Sequence, residues 1–209
     1  MSQIRKRFMV AASIIAGLTL LCWIYVRTYP LVFSESFWQH AHCAKQVGMA
    51  LMMYAQDHNG IYPAHTNGYG DALLLLWDDA GSPSLLTGPG YSEKVFAEAY
   101  TNKTDVPESK CGRVYIQGLR EDSDPDIAVL FDKLPNPGDH CNGPRRIWAP
   151  LRREVVLVDG SMQAVFEKKW PAFASNQVEL LVKAGFSRST AEAYYRKEPF
   201  SALNPVKKK

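Results

Sequence analysis

The sequence predicts an α+β fold in which a long N-terminal helical region packs on a small antiparallel β-sheet. Three observations predict it: an uncharged apolar run at 8–26, a helical pattern of apolar residues at 34–58, and short β-rich runs between 113 and 166. The chain has 209 residues, which leaves room for one globular head domain beside the apolar run.

The apolar run at 8–26 has the length of a membrane-spanning helix. About 19 residues at about 1.5 Å each nearly match a hydrocarbon core about 30 Å thick. Basic residues at 5–7 precede the run and only Arg27 follows it, so the positive-inside rule places the N-terminus in the cytoplasm. Ser13 and Gly17 have the small-x-x-x-small spacing that permits close approach of a second helix.

Three alternatives for this run remain open. A cleaved signal peptide has a shorter apolar core followed by small residues, whereas this run leads into Tyr25 and Arg27. A lipoprotein needs a small residue before the acylated cysteine, but Leu21 precedes Cys22. A buried helix of a soluble protein is the third alternative, and the three preceding basic residues are unusual for it.

The region at 34–58 predicts an amphipathic helix, which we call the stem. Pro30 interrupts the preceding helix, and Ser34 offers a hydroxyl to cap the next one. Asn59-Gly60 supplies a left-handed stop. Apolar residues on one face recur at spacings of four and three: Phe37, Ala41, Ala44, Gly48, Leu51 and Ala55.

The remaining head reads as short helices followed by strands. Residues 71–77, with Asp71 as a cap, and 91–102 predict helices that cover the space between stem and sheet. Asp159-Gly160 lies between two strands and predicts a hairpin with a two-residue type I′ turn. We expect three or four antiparallel strands against the stem, from the runs 113–117, 127–131, 154–158 and 162–166.

The C-terminal part predicts two helices. Asn176 is placed to cap a helix over 178–184, Gly185 to end it, and Ser187 or Ser189 to begin another that reaches about Lys197. This pair either caps the sheet or forms a small binding module. The predicted organisation is an anchor at 1–30, a head at 31–172, and at 173–209 the helical pair with a disordered basic tail.

Composition excludes several classes of protein. A mean hydropathy of −0.21 with 22% charged residues indicates a soluble head, not a multi-span protein. The net charge of +3 comes partly from clusters at 5–7 and 207–209, and neither forms a nucleic-acid patch.

The cysteines suit an exported head. Cys43, Cys111 and Cys141 would lie in an oxidising compartment and allow one disulfide. Cys43 with Cys111 would tie the stem to the start of the sheet, and Cys111 with Cys141 is the alternative. The spacing excludes a C-x-x-C metal or redox site.

No motif in the chain predicts catalysis, and we expect no enzyme. There is no phosphate loop, nucleophile elbow or His-Glu-x-x-His helix. His140-Cys141 lacks an orienting carboxylate, and His40 and His42 face different sides of a helix. Asp122, Asp124 and Asp126 offer oxygen ligands for calcium, but a solvated turn explains them as well. We expect no other cofactor or metal.

Two stretches resemble a known family. Residues 43–63, running from Cys-Ala-Lys-Gln-Val-Gly through Tyr-Ala-Gln-Asp-His-Asn-Gly to Tyr-Pro, and the strand 156–162 with Asp-Gly resemble bacterial type IV pilin-like proteins. The likeness is to the type II secretion pseudopilin G group and to prepilin-like proteins with an H-X9-DG motif. The resemblance implies a membrane helix that continues into a stem packed on a small antiparallel sheet. It also favours the prediction of calcium binding at the acidic turn.

The chain also departs from the family pattern. Arg7 replaces the Gly that precedes the peptidase cleavage site, and Ala12 replaces the Glu that guides subunits into a filament. His140 lies about twice as far before Asp159 as the motif requires. We therefore expect no processing by prepilin peptidase, which leaves a role in a filament open.

The predicted function is structural. We expect a single-pass protein of the bacterial cytoplasmic membrane, with its head in the periplasm or outside. It would act through protein–protein contacts in a secretion, pilus-type or other envelope complex, as part of a homo- or hetero-oligomer. Its partners would be the lipid bilayer and other envelope proteins, not nucleic acid. The alternative is an anchored binding module that recruits a ligand or partner outside any filament.

Overall fold

A computed structural model describes residues 16–23, 36–89, 91–135 and 150–196, with side chains in the stem from Ala44 onward and none for Ser84. The chain divides into two compact units, residues 1–39 and 40–209. In the first unit, residues 16–23 form a solvent-exposed helix, α1. No helix among these described residues has the length and apolar character needed to cross a bilayer, and most of the run at 8–26 lies outside them.

The fold is α+β with a four-stranded antiparallel sheet in the order β1-β2-β3-β4, as predicted. Short 3-10 helices occupy Glu108–Lys110 and Glu167–Lys169. The strands are β1 Arg113–Tyr115, β2 Ala128–Asp132, β3 Arg152–Leu157 and β4 Met162–Phe166. The remaining helices are α2 Ser36–Asp57, α3 Tyr69–Leu74, α4 Trp77–Ala80, α5 Pro83–Thr87, α6 Lys94–Asn102, α7 Trp170–Lys183 and α8 Arg188–Tyr195.

Helix α2 is the predicted stem, and its end is confirmed. Asn59 and Gly60 both have positive φ, 56° and 75°, and the Gly60 N–H donates to Ala55 O at 2.7 Å. Ser34 and the side chains of Phe37 and Ala41 lie outside the described residues. The other predicted face positions are all buried: Ala44, Gly48, Leu51 and Ala55. Val47 and Ala50 of the same helix are also buried.

The stem packs directly on the sheet because glycines allow close approach. A Cβ atom added at Gly48 would lie 2.9 Å from Cγ1 of Val156 in β3. A Cβ atom added at Gly160, in the turn after β3, would lie 2.2 Å from Sδ of Met52. Glycine at position 48 leaves room for Val156, and Gly160 has the positive φ of 76° that favours glycine in the turn.

The opposite face of the sheet is covered by α7 and α8, so the sheet is the middle of three layers. Phe131 of β2 packs against Trp170 and stacks on Tyr195, with ring centroids 5.3 Å and 4.8 Å away. The buried side chains of these helices belong to the same hydrophobic core as the stem: Trp170, Val178, Leu181 and Ala191. The C-terminal helices therefore complete the head's core, and the predicted boundary at 172/173 falls inside α7.

Two predicted caps were wrong and one was confirmed. Helix α7 begins at Trp170 with Pro171 in its first turn, so Asn176 lies within the helix and does not cap it. Asp71 lies within α3, where Oδ1 accepts from the Val106 N–H at 2.6 Å. Ser187 does cap α8, because its side chain accepts from the Thr190 N–H at 3.1 Å.

The predicted hairpin between β3 and β4 exists, but its turn type was wrong. Gly160 has φ of 76°, whereas Asp159 does not have positive φ, so the turn is not type I′. The Gly160 N–H donates to Leu157 O at 3.0 Å, and Leu157 pairs with Ser161 through a 2.9 Å bond. This pattern is a three-residue loop with a glycine bulge. Val158, the first residue of this loop, donates from its N–H to Ile127 O at 2.9 Å and so extends the pairing with β2.

Candidate interaction surfaces

One edge of the sheet, at β1, is covered by the head itself. All three residues of β1 are buried. The Gly112 N–H donates to Thr87 O, at the end of α5, over 2.6 Å. A Cβ atom at Gly88 would lie 2.6 Å from Arg113 Cγ and 2.9 Å from the Gly112 carbonyl carbon. The backbone after α5 therefore lies against the Arg113 end of this edge, and the whole strand is buried within the head.

The other edge, at β4, is not covered by hydrogen bonds from any residue that the structure describes. The bonds from Leu157 N–H to Ser161 O and from Glu167 N–H to Leu151 O, each 2.9 Å, set the alternation of the β3–β4 ladder. This alternation directs the backbone groups of Met162, Ala164 and Phe166 away from β3. Among the described residues, no hydrogen bond to those outward groups is present.

The side chains along β4 do not block its edge. Gln163, Ala164 and Phe166 are exposed, with Phe166 42% accessible, and Met162 is half-buried. Natural edge strands are commonly protected by charged residues, proline or a bulge within the strand. Met-Gln-Ala-Val-Phe contains no charge and no proline, and the bulge lies in the turn before it. Charges flank the strand instead: Asp159 before it, and Lys168 and Lys169 after it, all exposed.

The outer side of the stem exposes methionines beside a groove. Met49 and Met53 are 48% and 52% accessible. They line a groove of about 450 Å³ between α2 and the α4–α5 junction. Asp79, Gly81 and Leu85 form the opposite wall. Flexible methionine side chains adapt to many apolar partners, so this face suits a protein contact.

A second concavity of about 490 Å³ lies between α8 and the sheet face that carries Phe131. Its wall includes Trp170, Tyr194 and Tyr195, and burial raises the pKa of the Tyr195 hydroxyl well above its usual range. Arg153 lies 4.4 Å from the centre of the Trp170 ring, in a cation–π contact, and also pairs with Glu167 at 3.1 Å. The cleft is therefore aromatic, with cationic and anionic groups already paired in its wall.

Cys111 is a buried free thiol in the structure. Its Sγ donates to Pro107 O at 3.6 Å. Burial raises the pKa of the Cys111 thiol to about 12, against a smaller opposing effect of the Lys133 charge. Neither predicted disulfide through Cys111 is formed here. The side chain of Cys43 and all of Cys141 lie outside the described residues. A protonated, buried thiol is a poor nucleophile.

The acidic turn is solvent-exposed and internally bonded. Asp122 accepts from the Arg120 side chain at 3.1 Å, and Asp124 accepts from the Asp126 N–H at 3.1 Å. The part of the chain that the structure describes contains no group of three acidic, histidine or cysteine side chains arranged for a metal ion. Calcium at this turn stays a prediction from the sequence.

The histidines do not converge on a site within the described residues. His58 stacks on Tyr54 with centroids 3.8 Å apart. His65 Nδ1 lies 3.5 Å from Oδ2 of the buried Asp71. The side chains of His40 and His42, and all of His140, lie outside the description.

Charged side chains buried in the sheet were not foreseen from the sequence. Arg113 of β1 and Asp132 of β2 are 2% and 0% exposed, and Arg113 Nε donates to Asp132 Oδ1 at 3.4 Å. Arg113 Nη1 also donates to Leu85 O in α5. The two partners are 19 positions apart and become neighbours only through the strand register. No local pattern signals such a pair.

The predicted Asp159-Gly160 pair lies at the end of the open-edge hairpin, against Met52. Gly17 is exposed on α1 with no heavy atom within 4 Å of a Cβ added there, and Ser13 lies outside the described residues. The structure therefore brings the hairpin turn to the stem but does not join the predicted residues into one site. No protein-family model, curated protein or solved structure matches this chain.

Proposed function

We propose that the protein is a pilin-like, single-pass membrane protein of the bacterial envelope that acts through protein–protein contacts and catalyses no reaction. The observation that carries this proposal is the close packing of α2 on the hairpin, through Gly48 on Val156 and Gly160 on Met52. This is the arrangement that the resemblance of 43–63 and 156–162 to pilin-like proteins implies. The uncharged run at 8–26 supplies the anchor.

The head's surfaces support a role in assembly. Exposed methionines on the stem and the uncharged strand β4 at a sheet edge are features of contact surfaces. Among the described residues, the buried Cys111 thiol and the histidines that the structure places do not come together as a catalytic group. Oligomerisation through the anchor would use the small residues Ser13 and Gly17.

A replacement in the anchor tests this proposal. We expect Gly17→Leu to reduce the size of the complex extracted from native membranes, measured by native electrophoresis and cross-linking, because a large side chain separates the helices. Ala16→Leu is the matched control, since it lies about 100° around the same helix. Equal assembly of both variants and wild type, or recovery of the full chain in the soluble fraction after alkaline extraction, would contradict the proposal.

The aromatic cleft favours a second candidate function, an anchored binding module. Deleting α7 and α8 would not test it, because Val178, Leu181 and Ala191 belong to the core. The exposed residue Ala193 lines the cleft and suits a test: Ala193→Arg would fill the cleft without disturbing the core. Loss of a co-purifying partner in this variant, with the anchor-dependent complex intact, would favour the binding module.

A further inference from the structure

We propose that His65 and Asp71 form a pH-sensitive switch, in which protonation of one ring nitrogen replaces a hydrogen bond from the Asn67 backbone by an ion pair with the Asp71 carboxylate. The switch acts on the loop 62–68, which leads into α3. All of these residues lie in the compact unit 40–209, so the switch does not depend on the anchor that the proposed function requires.

The buried partner in this switch is Asp71, whose carboxylate has one oxygen without a hydrogen-bond donor. Asp71 is 6% exposed, and its Oδ1 accepts from the Val106 N–H at 2.6 Å. Its Oδ2 is buried and accepts no hydrogen bond from any described residue. His65 Nδ1 lies 3.5 Å from Oδ2, beyond the length of about 2.7–2.9 Å that is typical of a charge-assisted bond. Because a buried oxygen without a donor is unfavourable, Oδ2 favours a proton on Nδ1.

The same ring nitrogen already has another partner. His65 Nδ1 accepts a hydrogen bond from the Asn67 N–H at 3.3 Å. This bond needs the lone pair of Nδ1, whereas a bond to Oδ2 of Asp71 needs a proton on that atom. One nitrogen cannot do both at once, so the two contacts belong to different protonation states. The neutral ring bonds to Asn67, and the protonated ring bonds to Asp71 and releases the Asn67 N–H.

The backbone of the loop holds the ring between its two partners. The His65 N–H donates to Gln117 Oε1 at 2.6 Å, and the Tyr115 hydroxyl donates to Pro63 O at 2.8 Å. The His65 side chain is 39% accessible, so its ring exchanges protons with water. Histidine is the side chain that ordinarily changes charge between pH 5 and 8. Protonation therefore changes the partner of the ring while the bonds at Pro63 and at the His65 N–H remain.

Neighbouring segments place other charged or titratable groups around this pair: Tyr69, Asp105, Glu108, Cys111, Tyr115 and Lys133. Asp105 Oδ1 accepts from Asn67 Nδ2 at 3.1 Å, which holds the Asn67 side chain. Lys133 Nζ donates to Glu108 O at 2.8 Å. Burial raises the pKa of the Cys111 thiol to about 12, so this thiol stays neutral where histidine titrates. Asp71 is the carboxylate that lies within ion-pair distance of the His65 ring among the described residues.

The experiment observes the ring nitrogens directly. The full chain, labelled with ¹⁵N in histidine and asparagine, is titrated in detergent from pH 8 to pH 5.5 and followed by NMR. We expect His65 Nδ1 to carry a lone pair at pH 8 and a proton at pH 5.5. The Asn67 backbone amide resonance should shift with the same midpoint as the His65 ring, because the ring gives up that N–H when it binds a proton.

His58 is the matched control in the same sample. Its Nδ1 lies 2.7 Å from Tyr54 O, and a carbonyl oxygen only accepts hydrogen bonds. We therefore expect His58 Nδ1 to carry a proton in both charge states, with no exchange of partner. The two histidines should thus differ in the nitrogen that loses its proton as the pH rises: Nδ1 in His65 and Nε2 in His58.

A substitution of the carboxylate gives the complementary test. Asp71→Asn keeps a side-chain oxygen for the Val106 N–H but removes the negative charge beside His65. We expect the His65 ring to bind its proton at least about threefold more weakly in this variant, measured from the midpoint of its titration. The midpoint of His58 should stay unchanged. Asp122→Asn, which removes an exposed carboxylate bonded to Arg120, should alter neither midpoint.

Three results would overturn the inference. A proton on His65 Nδ1 at both pH values would make its contact with Asp71 permanent, and an Asn67 amide that does not follow the ring would separate the two bonds. An unchanged His65 midpoint in a folded Asp71→Asn chain would exclude the ion pair. The wild-type titration decides the first two outcomes even if Asp71→Asn does not fold.

Discussion

The two edge strands of the sheet differ in how far the rest of the head buries them. At β1 the strand is three residues long and fully buried, and the backbone of Thr87 and Gly88 lies against its Arg113 end. At β4 the strand is five residues long, largely exposed and uncharged. Strand edges attract other strands unless they are protected, and within the described part of the head only the edge at β1 is protected in this way.

The largest expected effect concerns the buried ion pair that holds the covered edge. Asp132→Ala leaves the Arg113 guanidinium buried without its carboxylate, and we expect a loss of about 3–5 kcal/mol in the free energy of unfolding. Urea denaturation followed by tryptophan fluorescence measures it. A loss of this size would show that the buried Arg113–Asp132 pair contributes strongly to the stability of the sheet at β1.

The matched control is the exposed pair of Arg120 and Asp122, whose side chains are 48% and 71% accessible. Asp122→Ala should change the free energy of unfolding by less than about 0.5 kcal/mol, because solvent screens the pair. If both variants lost a similar amount of unfolding free energy, burial of the Arg113–Asp132 pair would not explain the loss in Asp132→Ala.

The second-largest expected effect concerns the close contact between Gly88 and the start of β1. Gly88 has φ of 79°, and Gly88→Ala introduces a Cβ atom 2.6 Å from Arg113 Cγ and 2.9 Å from the Gly112 carbonyl carbon. We expect a loss of about 3 kcal/mol from backbone strain and steric overlap together. Chemical denaturation of the purified chain measures it.

Gly81 provides the comparison for Gly88. It also has positive φ, 69°, but no heavy atom lies within 4 Å of an added Cβ. Gly81→Ala should therefore lose only about 1 kcal/mol, from the left-handed backbone conformation alone. If Gly88→Ala and Gly81→Ala lose the same stability, the segment at Thr87 and Gly88 can move away from β1 without cost. Its contact with β1 would then not distinguish the two edges of the sheet.

The smallest effect concerns the attachment of the hairpin that carries the open edge. The buried Tyr62 hydroxyl donates to Val158 O at 2.7 Å, at the start of the β3–β4 turn. Tyr62→Phe should lower the free energy of unfolding at pH 7 by about 1 kcal/mol.

The same tyrosine predicts a pH dependence. Burial, with smaller effects of the Glu121 and Asp159 charges, raises the pKa of Tyr62 from 10.0 to about 12. Between these pH values the unfolded tyrosine loses its proton while the folded one keeps it, so the unfolded state binds fewer protons and stability falls as pH rises. The wild-type stability should decline more steeply than that of Tyr62→Phe over this range. Parallel curves would contradict a buried, protonated hydroxyl.

The elements that could be predicted depend on short-range patterns. The end of α2 at Asn59-Gly60 follows from backbone preferences of two adjacent residues, and the buried positions 44, 48, 51 and 55 follow from the helical period. The strands and the antiparallel order follow from β-rich runs joined by short connections.

The elements that were missed depend on competing or distant contacts. Asn176 has the chemistry of a cap, but Pro171 and the packing of Trp170 against Phe131 start α7 six residues earlier. The β3–β4 loop has three residues with a glycine bulge at Gly160 in place of the type I′ turn, and Val158 in this loop bonds to Ile127 beside β2. In both cases a tertiary contact accompanies the departure from local preference.

The sequence by itself determined where α2 ends, which runs form strands and which face of the stem is apolar, because those properties arise from residues within a few positions of one another. Only the tertiary structure decided which strand lies at an edge, whether that edge is covered, and that Arg113 meets Asp132. These depend on the order of strands in space, and any uncharged strand can occupy an edge or a centre until its neighbours are placed. The open edge of β4 is therefore a property of the assembled sheet, although every residue in it was visible in the chain.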